Sequence, residues 1–153
     1  MRRESSRARE PLELTIESLG AGGDGVARID DAPVYVPWTL PGERVRAVPA
    51  GARRARPIAW LETSAERAPP RCPHFTACGG CALQHLGEEA YARWKLERAR
   101  EALARSGFNG GTLAPLVRAA AFTRRRAAFA MRRLARGVVL GFHAPGSHEI
   151  VDL

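Results

Sequence analysis

The sequence predicts an α+β protein. A small five-stranded β-barrel of the OB type spans residues 11–62, followed by a cysteine-rich loop, one helix and an antiparallel sheet over residues 72–153. Three observations lead there. Residues 11–62 contain short apolar–polar alternations separated by Gly, Pro and Asp turn signals. All three cysteines fall within residues 72–81. Residues 88–106 carry a single long helical pattern, and two β-like runs follow it.

Residues 1–10 are rich in Arg and Ser and read as a basic tail. They have no apolar core of the kind a secretory signal needs, and no stretch is long and apolar enough to span a membrane. The expected setting is the cytoplasm. Leu12, Leu14 and Ile16 then alternate with Glu13, Thr15 and Glu17, as in a half-buried strand. Residues 20–25 formally match G-x-G-x-x-G, but short β segments follow where a dinucleotide site needs a helix. These glycines are expected to form a corner of the barrel. Further strands are expected over 26–29, 34–36, 44–48 and 57–62, with 38–43 as a loop and Pro57 at the start of the last strand.

Residues 63–71 include Pro69-Pro70 and read as a linker. The loop 72–81 then spaces its cysteines C-x5-C-x2-C, with Gly79-Gly80 filling the last gap. Thiolates are soft anionic ligands, and Cys72, Cys78 and Cys81 so spaced point to a metal site, the glycines permitting tight turns. An odd, clustered cysteine count argues against a disulfide framework and for a reducing compartment. Three thiolates leave a tetrahedral site one ligand short. Zinc could recruit His74 or His85, whereas an iron–sulfur cluster normally takes a fourth Cys, which the chain lacks. On chemistry alone the balance leans slightly to zinc.

The helix over 88–106 opens on Glu88 and Glu89, suited to its dipole, and Gly107 is placed to cap it. Glu89/Arg93 and Glu101/Arg105 are favourable i,i+4 pairs, and Tyr91, Trp94, Ala99, Ala102 and Leu103 form the expected core face. A strand is expected over 122–134, with Ala127, Phe129 and Met131 on one side and Arg124, Arg126 and Arg132 on the other. Arg136-Gly137 then turns the chain into a partner strand.

The formal net charge is +8, and all but one of the 24 basic residues are Arg, which points to nucleic acid as the partner. Residues 11–62 hold six basic and seven acidic residues, whereas 115–140 hold seven basic and none acidic. The positive field therefore belongs to the C-terminal part. Arg124, Arg125, Arg126, Arg132 and Arg133 are the candidate RNA contacts. The last residues, 146–153, end within a β-like run, which reads as a truncation.

Four motifs occur in one order: Gly-Asp-Gly-Val-Ala-Arg at 23–28, Val-Pro-Trp-Thr-Leu-Pro-Gly-Glu-Arg-Val at 36–45, the cysteine run with Gln84-His85, and Gly-Ser-His-Glu-Ile-Val-Asp-Leu at 146–153. Together they resemble the N-terminal half of the bacterial RNA uracil-5-methyltransferases, in particular those acting on 23S ribosomal RNA. The barrel motifs look like a TRAM domain. The resemblance tips the metal toward a 4Fe–4S cluster held by Cys72, Cys78, Cys81 and a fourth Cys lying, in the family, just beyond the segment similar to 148–152. It also implies a Rossmann-like catalytic domain that binds S-adenosylmethionine, absent from these residues. The chain alone is then expected to bind RNA and not to methylate it. The alternative is a free-standing RNA-binding module with a zinc or iron–sulfur knuckle.

Overall fold

Alternation sets the first half of the chain. Leu14, Ile16, Ala27, Val34, Val36, Val45, Ala47 and Ala55 form one buried cluster, while Arg44 and Arg46, interleaved with Val45 and Ala47, face outward. This computed structural model describes residues 10–108, 110–120 and 123–153. They fall into two compact units that divide between Arg67 and Ala68.

The first unit has six strands where the sequence suggested five: β1 (Leu12–Thr15), β2 (Ser18–Leu19), β3 (Gly25–Ile29), β4 (Ala32–Val36), β5 (Arg44–Pro49) and β6 (Ala55–Glu62). They form two antiparallel three-stranded sheets, ordered β1-β5-β6 and β2-β3-β4. A parallel bridge between Tyr35 and Arg54 links β4 to the residue before β6. The glycine run 20–25 forms the turn between β2 and β3, with the Gly20 amide donating to Asp24 O at 2.8 Å. Strand β3 follows it directly, so no helix N-terminus exists for a pyrophosphate. Pro57 lies inside β6 rather than at its start. It is tolerated because β6 is an edge strand and the register slips between Arg46 and Ala47, leaving Ile58 as the extra residue.

The second unit contains α1 (Glu88–Arg105) and a sheet of β7 (Ala130–Arg133), β8 (Val138–His143) and β9 (Ile150–Asp152), in that order. The expected cap of α1 is present. Gly107 takes φ 81°, its amide donates to Ala104 O, and the Phe108 amide reaches back to Leu103 O, the paired bonds of a Schellman motif. The expected core face is only partly buried. Ala90 and Ala92 are buried and Tyr91 and Trp94 half-buried, but Ala99, Ala102 and Leu103 are exposed. The Glu101–Arg105 pair forms at 3.7 Å, and Glu89 accepts from Arg118 at 3.0 Å.

Strand β7 is much shorter than the expected run over 122–134. Its partner β8 stops pairing at Gly141, opposite Ala130, and the His143 carbonyl beyond accepts the Gly79 amide at 2.8 Å instead. Residues 123–129 carry no regular secondary structure. Phe122, where the strand was expected to begin, and most of the tail over 1–10 lie outside the described residues. Gly137, at φ 90°, makes the expected turn between β7 and β8, with Leu134 donating to its carbonyl.

Candidate nucleic-acid interface

The arginines divide into two populations. In the first unit Arg28, Arg44, Arg46 and Arg54 pair at the surface with Glu17, Glu62, Glu13 and Asp24 at 2.8–3.4 Å. Such exposed pairs add little stability but cancel the local field. In the second unit Arg118 is taken up by Glu88 and Glu89. Arg124, Arg125 and Arg126 are exposed and line an open depression, and among the described residues none of them meets an acidic partner. Arg132 and Arg133 are exposed on β7, opposite Val139 and Val138, and are likewise without an acid. Adjacent strand residues face opposite sides, so Arg132 and Arg133 do not share one face. The structure thus keeps the five candidate arginines in one short stretch but breaks the single strand expected to align Arg124, Arg126 and Arg132.

The cysteine loop is built by local turns and anchored on β8. The Phe75 amide donates to Cys72 O at 3.1 Å and the Cys78 amide to His74 O at 2.8 Å, with Thr76 at φ 76° carrying the left-handed residue. Gly79 and Gly80 were expected to supply tight-turn conformations. Both lie in a turn, neither in the left-handed region, and both also serve close approach: a Cβ on Gly79 would lie 2.7 Å from His143 O, and one on Gly80 2.9 Å from the Phe142 ring. Gln84 accepts the Cys72 amide through Oε1 at 3.1 Å. His85 is fully buried beside the Phe75 ring, centroids 5.4 Å apart, and its carbonyl accepts the Ala68 amide. The Gln84-His85 pair therefore closes the loop.

All three thiols are free, Cys78 buried, Cys72 half-buried and Cys81 exposed. Among the described residues no group of three or more Cys, His, Asp or Glu is arranged to hold a metal. Neither His74 nor His85 joins the cysteines around one centre. The donor chemistry suits a soft metal, but the three thiols stop one ligand short and, among the described residues, are not gathered around one centre.

One site was not expected from the sequence. Glu43, fully buried, lies in the segment read as a plain loop. Its Oε2 accepts the Leu40 amide at 2.9 Å and the Trp60 indole at 3.0 Å, and its Oε1 accepts the Ser64 amide at 3.2 Å. Arg67 adds a two-pronged bond, Nε to Oε1 at 2.6 Å and an Nη to Oε2 at 2.7 Å, and also donates to Trp38 O. Its guanidinium lies 5.3 Å from the Trp60 ring centroid. Burial alone raises the Glu43 pKa, but the Arg67 bonds, the Leu40 and Ser64 amides and the Arg67 charge outweigh it and hold the carboxyl below its ordinary value. Residues 63–67, expected as linker, are thereby tied to the first unit. The acidic residue after Pro41-Gly42 was the only sequence signal for this hub.

Residues 6–47 match the family described as the TRAM domain. Over most of its length the chain is similar to bacterial RNA methyltransferases. It is 51% identical over 141 residues to an uncharacterised RNA methyltransferase of Brucella suis biovar 1, covering 92% of this chain and 34% of that one. It is 39% identical over 160 residues to the 23S rRNA (uracil(1939)-C(5))-methyltransferase RlmD of Alkalilimnicola ehrlichii, covering 99% and 36%. For the RlmD of Halomonas elongata the figures are 43% over 148 residues, 92% and 31%. The chain thus spans about a third of the length of the relatives it matches. No helix among its described residues is long and apolar enough to cross a membrane.

Proposed function

We propose that this chain is the RNA-recognition part of an RNA uracil-5-methyltransferase, acting on 23S ribosomal RNA in the cytoplasm. The observation that carries the reading is the contrast between paired arginines in the first unit and uncompensated Arg124, Arg125, Arg126, Arg132 and Arg133 in the second. Unpaired guanidinium groups on an open surface are free to displace counterions from a phosphate backbone. Such contacts hold an RNA in register without reading its bases. The two sheets of the first unit act as an OB-like barrel of the TRAM type that precedes this basic stretch in the chain.

Methyl transfer and S-adenosylmethionine binding belong, on this reading, to the length of the relatives that the chain does not cover. Cys72, Cys78 and Cys81 supply three thiolates of a 4Fe–4S site whose fourth ligand comes from outside these 153 residues. A free-standing module with a zinc or iron–sulfur knuckle is the competing reading, and zinc without sulfide would favour it.

The test is a filter-binding titration of a 23S rRNA fragment at fixed salt. Changing Arg124, Arg125 and Arg126 together to Ala is expected to weaken binding by about tenfold or more, and changing Arg44 and Arg46 to Ala to have a much smaller effect. Equal losses in the two variants would overturn the assignment.

A further inference from the structure

In the sheet β7–β9, register and alternation put Met131 opposite Leu140, Arg133 opposite Val138, and Phe142 opposite Val151, all on one face. Phe129 extends this face, its ring 5.0 Å from that of Phe142. Leu153 closes it, its amide bonded to Leu140 O. At the Phe142 end Gly80 of the cysteine loop lies against the ring. Beyond that the face is open. Met131 is 72% exposed, Val138 55%, Leu153 52%, Phe129 49% and Leu140 44%. Isolated exposed apolar residues are ordinary, but a contiguous set on one sheet face marks an interaction surface.

We infer that this face is a docking surface for polypeptide, and that its occupant is the portion of the RNA methyltransferases that this chain does not match. Two observations fix the occupant. The face is apolar, with Arg133 its one charged member, so it lacks the charge an RNA backbone requires, and the unpaired arginines 124–126 lie outside the strand that builds it. In the relatives, moreover, the matched residues are about a third of the polypeptide. The remaining two-thirds is the partner available to every member of such a family. The surface shares Arg133 with the proposed phosphate contacts, but the inference rests on the apolar residues around it and not on that guanidinium.

The test places a photo-crosslinking amino acid at position 140 of the full 153-residue chain. The chain is co-expressed with the unmatched two-thirds of the Brucella suis relative as a separate polypeptide. A crosslink to that polypeptide is expected, with none from the same probe at position 58, an exposed position on β6 of the other unit. Combining Met131→Lys with Val138→Lys is expected to cut the yield from position 140 by about tenfold. Crosslinks between two copies of the chain would overturn the inference in favour of self-association. If the separate polypeptide does not fold, the same probe and substitutions are read in a chimera that carries this chain in place of the matching third. No crosslink there, or a yield indifferent to the two lysines, also overturns it.

Discussion

Glu43 shows what a single carboxylate does when five donor contacts converge on it. Its charge is buried, and a buried charge persists only when neighbouring groups replace the water it loses. The Leu40 and Ser64 amides, the Trp60 indole and the Arg67 fork do so, and they draw the chain after β6 back onto the loop before β5. Glu43→Ala strands Arg67 and Trp60, and a loss of about 3 kcal/mol in unfolding free energy is expected for the first unit. Urea melts followed by circular dichroism measure it. The pH dependence follows from the direction of the shift. Because the folded carboxyl titrates below its unfolded counterpart, its contribution is fully present above the unfolded value and drains away as pH falls through the folded one. Wild-type stability should therefore fall between about pH 5 and pH 2 by more than that of Glu43→Gln, which has no charge to lose. Parallel pH slopes would show that the hub is not acting through the carboxylate charge.

At the scale of elements, what was legible in the sequence was local. Burial of Leu14, Ile16, Val34, Val36, Val45 and Ala47 follows from a period of two, and the end of α1 follows from one glycine in the left-handed region. What was not legible depended on distant groups. The length of β7 is decided by Gly79 taking the His143 carbonyl, some fifty residues away from the strand, and the Glu43 hub needs Arg67, 24 positions on. The cysteine spacing marked three candidate ligands, and the fold leaves them at three different depths and gives the adjacent glycines a packing role. The metal is therefore the next measurement on this loop. Protein purified without oxygen is expected to carry iron with matching acid-labile sulfide, and Cys78→Ala to lose it. Zinc without sulfide would favour the knuckle, and unchanged metal content in Cys78→Ala would remove the loop as the site.

Across the whole chain, charge is sorted rather than spread. The stretch 11–62 is close to neutral in sequence, and the structure pairs off most of its guanidinium groups. The stretch 115–140 is wholly basic, with Arg118 alone of its arginines taken up by acids among the described residues. Salt dependence distinguishes the two directly, because each phosphate neutralised on a single strand contributes about 0.7 to the slope of log affinity against log salt. If Arg124, Arg125 and Arg126 each meet a phosphate, their joint change to Ala should lower that slope by about 2. Arg44 and Arg46 already spend their charge on Glu62 and Glu13, so replacing them releases few counterions from RNA and should leave the slope nearly unchanged. A slope that falls as far for Arg44 and Arg46 as for the triplet would mean that those surface pairs open on binding. The paired first unit would then be the face that holds RNA.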